Sequence, residues 1–172
     1  MLGASWRAAA LCLMLFSAVA QAAPAAAPAA GADADVAAAT AVVRSFYSYH
    51  LKHDMGFSEA GLRARRRWLA PALFDALLAE ARKPGSPDMV PKIDGDPFTD
   101  SQEYPTSFRL GAASWLREGR GTIAVDVVLT AGAASRSARL VLAPVDGKYR
   151  IANFLFPGGT ADLVEMLKRD PR

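Results

Sequence analysis

Thiols are almost absent from this chain. Of its 172 residues only Cys12 is a cysteine, and it lies inside an apolar N-terminal run. The rest of the sequence can therefore form no disulfide, no thiolate metal site and no cysteine nucleophile, and must be held by packing. Histidine is scarce too: His50 and His53 are the only two, and zinc would need further ligands from elsewhere. Long apolar runs are missing, since Ala8 to Ala20 falls short of the roughly 20 residues that span a bilayer. A strong charge bias is also lacking. Arg7 is the only charged residue among the first 22, so 19 basic residues face 17 acidic ones in the remainder, a net of +2. That balance is unlike a nucleic-acid-binding domain, and no nucleic-acid partner is expected. Neither a Gly-x-Ser-x-Gly elbow nor a glycine-rich phosphate loop occurs.

What is there begins with an address. A basic start at Arg7, the apolar Ala8 to Ala20 and small residues around Gln21 read as a secretory signal over residues 1–22. Two exits fit, Ala18-Val19-Ala20 and Ala20-Gln21-Ala22. Leu11 precedes Cys12 and the apolar run continues through Phe16, so lipidation is not expected. The mature chain is expected to be periplasmic or secreted, with no transmembrane segment. Residues 23–35, mostly Ala with Pro24, Pro28 and Gly31, read as a flexible tether, although a helix starting at Asp33 or Asp35 competes. Residues 36–170 then suffice for one domain with one core.

Val36 to Leu51 predicts an amphipathic helix, with Val36, Thr40, Val43, Tyr47 and His50 on one face and Phe46 beside them. Ser58 can cap a second helix to Trp68, and Pro71 suits the first turn of a third. In that third helix Phe74, Leu77, Leu78 and Ala81 form the buried stripe. Lys83 to Gln102, with four prolines, reads as a long loop. The period then becomes two: Phe108, Leu110 and Ala112 alternate with polar or small neighbours, and Ile123, Val125, Val127 and Leu129 oppose Asp126 and Thr130. Arg136 to Ala143 and Tyr149 to Phe156 continue the pattern around a Val145-Asp146-Gly147-Lys148 hairpin turn. A short closing helix starts at Thr160 or Asp162 and runs through Lys168. The expected class is α+β, with N-terminal helices packed on a curved antiparallel meander.

This order, with Val42-Val43-Arg44-Ser45-Phe46-Tyr47 and the Arg67 to Leu73 turn, resembles the nuclear-transport-factor-like α+β cone. More narrowly, Asp94-Gly95-Asp96-Pro97-Phe98-Thr99-Asp100-Ser101-Gln102-Glu103 and the ending Tyr149 to Phe154 resemble the bacterial domain of unknown function 3828. The similarity spans Val36 to Lys168. It implies a cone whose helices and bent sheet enclose a pocket, and it carries no activity that transfers.

Four constellations carry the functional expectations. Asp94, Asp96 and Asp100, followed by Gln102 and Glu103, offer oxygen ligands of the kind hard cations take, but their spacing departs from an EF-hand. The simpler reading is a loop ordered by Asp side chains bonding backbone amides or pairing with Arg109, and no metal or cofactor is expected. His50 and His53 stand three apart at a helix end; the simpler reading makes one buried and one superficial. The basic run Arg63, Arg65, Arg66, Arg67 lies on the second helix, and Arg63, Arg66 and Arg67 share a face that suits phosphate, anionic glycan or lipid headgroups; otherwise it is solvated, with stems over Trp68 or pairs to Glu59 and Asp100. For the pocket, the candidate ligand-binding residues are Tyr47, His50, Tyr104, Arg109 and Asn153, the last expected on one face with Tyr149, Ile151 and Leu155.

These residues favour a non-catalytic binding module for a small ligand or a cell-envelope partner. The alternative is a small-substrate hydrolase, lyase or isomerase using His50 with a carboxylate of the acidic loop, which needs the two within hydrogen-bond reach. A homodimer through the sheet face is a third reading, to be marked by exposed Val141, Phe154 or Phe156.

Overall fold

The computed structural model describes residues 29–84, 91–116, 121–158 and 162–169. The expected signal, the first half of the tether and the Thr160 start of the closing helix lie outside the described residues. The architecture is α+β: three helices, a four-stranded antiparallel sheet and a short C-terminal helix. Helix α1 spans Ala29–His50. It starts seven residues ahead of Val36, so the second half of the segment read as tether is helical. Alanine is the best helix former, a backbone preference that needs no core beneath it. Helix α2 spans Glu59–Arg65, with Ser58 accepting from the Gly61 amide as its N-cap, and runs into a 3-10 turn at Arg66–Trp68. Helix α3, Pro71–Ala81, starts on proline and buries Leu73, Phe74 and Leu77.

The sheet is a meander in the order β1 (Ser107–Trp115), β2 (Ile123–Ala131), β3 (Ala134–Val145), β4 (Lys148–Leu155). Asp146 and Gly147, at φ 49° and 72°, make the expected tight turn between β3 and β4. The row Ile123, Val125, Val127, Leu129 is buried, as are Ala138, Leu140, Leu142, Ile151 and Phe154 in the adjoining strands. Helix α1 packs across this face, contacting β1, β2 and β4. Asp126 lies on the opposite face, paired across the strands with Arg139 at 2.6 Å.

Two irregularities overturn the simple alternation. In β1 the register shifts between Leu110 and Ala113, so Ala113 rather than Ala112 joins the inner row opposite Val125. In β4 it shifts between Ile151 and Asn153: Ile151 pairs with Leu142, whereas Asn153 pairs with Val141. An extra residue in one strand exchanges the two faces beyond it. Asn153 therefore shares a face with Leu155 but not with Ile151, and Phe154 takes the core position. Phe154 and Phe156 are both buried within the chain, so neither marks an open sheet face. Helix α4, Leu163–Lys168, begins at Asp162, whose side chain accepts from the Glu165 amide. No helix among the described residues is long and apolar enough to cross a membrane.

Candidate functional site

The acidic loop closes on itself before it meets the helices. Asp96 and Ser101 form a bridge, and the Asp96 carbonyl takes the amides of Thr99 and Asp100 at 3.3 and 2.9 Å. The Asp96 carboxylate also accepts, through Oδ1, from the Phe98 amide at 2.9 Å. That is one of the Asp-to-backbone bonds expected of this loop. Gly95 stands at φ +102°, and a Cβ there would lie 2.9 Å from the Ser101 carbonyl oxygen, so only glycine fits without movement. Phe98 is buried among Phe46, His50 and Phe154. The Asp-Pro-Phe sequence thus turns the chain, inserts an aromatic anchor and delivers Asp96 to the end of α1.

There Asp96 meets His50. Nε2 of His50 and Oδ2 of Asp96 are 2.6 Å apart, and both side chains are wholly buried. On the other side of the ring, Nε of Arg65 donates to His50 Nδ1 at 2.8 Å. The guanidinium Nε always carries its hydrogen, so Nδ1 must be the acceptor. The imidazole is then neutral, protonated at Nε2, and donates to Asp96, which accepts on both oxygens as a carboxylate. Arg65, His50 and Asp96 form one line of buried groups with a cation at one end and an anion at the other. The remaining donors of Arg65 reach the carbonyls of Gly61 and Asp54, at 2.8 and 2.7 Å. Burial pulls the Arg65 guanidinium below its ordinary pKa, and the Asp96 charge opposes that. Nearby, Tyr47 donates to the Phe98 carbonyl at 2.9 Å. Burial, reinforced by Asp96, pushes its phenol well above the usual 10.

The five expected pocket residues do not converge. Tyr47 and His50 stand together in the core. Tyr104 is an exposed ring, Arg109 is exposed on β1 opposite Val128, and Asn153 accepts from the amides of Phe154 and Val164, fastening α4 to β4. Within the acidic loop Asp94 accepts from Gln102 at 2.7 Å, and Asp100 pairs with Arg136 at 3.0 Å instead of Arg109. The Glu103 amide is held by Ser101 Oγ at 3.0 Å. His53 is exposed and stacks on Tyr49, apart from the His50 network. Among the described residues no cluster of three or more His, Cys, Asp or Glu is arranged to hold a metal ion.

Arg65 is the member of this network that sequence reasoning missed. It sits in the basic run 63–67 and reads as one more surface arginine, yet it is 2 % exposed. The signal was its spacing: Arg65 follows Leu62 by three positions and precedes Leu69 by four, on the apolar side of the helix.

Solvent reaches the loop from outside. A cleft of about 590 Å³ is lined by Asp94, Asp100, Ser101 and Gln102 on one side and by Arg136 and Phe156 on the other. A smaller cavity of about 130 Å³ shares Ser101 and Arg136 and reaches Thr99, whose hydroxyl is buried without a partner among the described residues. No family model, no curated protein and no solved structure matches this chain.

Proposed function

We propose that this chain is an exported, non-catalytic binding module on a nuclear-transport-factor-like cone akin to the domain of unknown function 3828. It takes a small polar ligand, or a cell-envelope partner, in the cleft between the acidic loop and Arg136. The observation that carries this reading is how the His50–carboxylate pair is used. Its 2.6 Å contact meets the distance that acid–base chemistry requires. Both ring nitrogens are nevertheless spent within the protein, on Asp96 and Arg65, and the ring has no exposure. A ring with both nitrogens engaged inside the protein and no exposed edge for a substrate is a fastener. What it fastens is the acidic loop, whose outer side presents carboxylates and an amide to the cleft, facing the Arg136 guanidinium of β3. Preset polar groups in a concave site are what small-ligand recognition needs.

Native mass spectrometry of the chain, expressed with its leader and recovered from the exported fraction, tests the reading. The expected result is a retained small molecule that Arg136→Ala loses and His53→Ala keeps. An adduct equally present in Arg136→Ala, or turnover of the retained compound that depends on His50, would overturn it. Recovery of a bare wild-type chain would move the reading to a protein partner.

A further inference from the structure

The basic run of α2 is not absorbed by the acidic-loop cleft. The 3-10 turn after α2 places Arg66 and Arg67 on a separate cleft of about 550 Å³, between the start of α3 and the β3–β4 turn. Arg63 lines the same cleft, and Arg150 enters it from β4. These arginines are positioned rather than loose. The Arg66 guanidinium lies 5.2 Å from the Phe74 ring centre, and that of Arg67 lies 3.9 Å from Trp68 and 5.6 Å from Tyr49. Arg150 donates to the Arg67 carbonyl, which ties the strand to the turn.

Their charges are poorly answered by the protein. Arg63 is engaged by Glu59, which it shares with Arg82. Among the described residues Arg66, Arg67 and Arg150 pair with no carboxylate, and Arg66 and Arg67 give no side-chain hydrogen bond. Stacking fixes a guanidinium plane and leaves its N–H groups to the solvent. Three guanidiniums without a carboxylate partner in one cleft repel each other unless an anion joins them, and their planar forks match phosphate oxygens. Two carboxylates, Asp75 and Asp146, line the same cleft, and neither pairs with an arginine there among the described residues. Acceptors beside a phosphate site suit hydroxyl groups on the same ligand.

We propose that this arginine cleft binds a phosphate ester that carries hydroxyl groups, with the phosphate on Arg66, Arg67 and Arg150 and the hydroxyls on Asp75 and Asp146. A soluble polyol phosphate and the headgroup of an anionic phospholipid share this chemistry. The site is independent of the acidic-loop cleft and of any ligand there.

Titration calorimetry of the full chain with glycerol 3-phosphate at low salt tests it. Saturable binding is expected, absent for glycerol, weakened by added salt and weakened about tenfold or more by Arg66→Gln and by Arg150→Gln. Arg66→Gln breaks no described hydrogen bond, so it reports on the site even if Arg150→Gln loosens the turn. Co-sedimentation with vesicles of phosphatidylglycerol, against vesicles of phosphatidylcholine alone, separates the sources. Sedimentation with the former that Arg66→Gln abolishes assigns the site to a lipid headgroup. Glycerol phosphate binding without sedimentation assigns it to a soluble ester. No saturable binding of either probe, or binding that both substitutions leave unchanged, overturns the proposal.

Discussion

Replacing Asp96 by Asn changes one atom pair in a buried line of hydrogen bonds, and the geometry forbids a harmless rearrangement. In the wild type both Asp96 oxygens accept, from the Phe98 amide and from His50 Nε2. Asn offers one acceptor and one donor, so its NH₂ must face either the Phe98 N–H or the imidazole. If it faces the imidazole, His50 has to move its proton to Nδ1, which then confronts the Arg65 Nε–H at 2.8 Å. Every arrangement leaves two donors opposed, and Arg65, 2 % exposed, loses its counter-charge. Removing one partner of a buried pair costs roughly 3–5 kcal/mol, a large part of a domain stability of about 5–15 kcal/mol. With a urea m-value near 2 kcal/mol/M, the unfolding midpoint should fall by roughly 2 M. Arg65→Met should destabilise by a similar amount, and the double variant by clearly less than the sum, because it buries no orphaned charge. Urea unfolding of the four proteins, followed by circular dichroism, measures this cycle. An Asp96→Asn midpoint within about 0.3 M of wild type, or strictly additive effects, would refute the assignment of charges and protons.

Gly95→Ala forces a Cβ to within 2.9 Å of the Ser101 carbonyl at φ +102°, so a loss of about 1–3 kcal/mol is expected in a thermal melt. Tyr47 has its pKa raised by burial above the unfolded value of 10, so its protonated form favours the folded state. That contribution is fully present below pH 10 and is lost as pH rises above it; the Tyr47 phenolate should appear by absorbance only together with unfolding, and Tyr47→Phe should remove the coupling. Glu59, held by Arg82 and Arg63, has its pKa lowered from 4.5 to about 2. Its stabilising effect is present above pH 4.5 and fades towards pH 2, and NMR titration of its carboxyl carbon in the native protein would show a midpoint near 2. Arg136→Ala breaks a half-exposed pair with Asp100 and should cost under about 1 kcal/mol in urea unfolding, which separates its proposed binding role from folding.

The amino-acid sequence by itself determined much of this protein, because the relevant signals are local. Proline at position 71, serine at 58 and aspartate at 162 start their helices with side chains or ring geometry that act within one turn. Asp146-Gly147 sets its hairpin, and the alternation of Ile123 to Leu129 assigns the two faces of β2, with Asp126 turned away from the core. Even the acidic loop showed its turn residues. Only the tertiary structure decided which of those polar groups meet. Bulges in β1 and β4 shift every following side chain to the other face, and a single chain offers no local sign of them at Ala112 or Asn153. His50 and Asp96 are 46 positions apart, and Arg65 lies between them in a run that reads as solvent-facing. Their alignment depends on how α1, α2 and the loop pack around Phe98. Packing removes water from all three side chains, and without water a cation, a neutral ring and a carboxylate have only each other as partners.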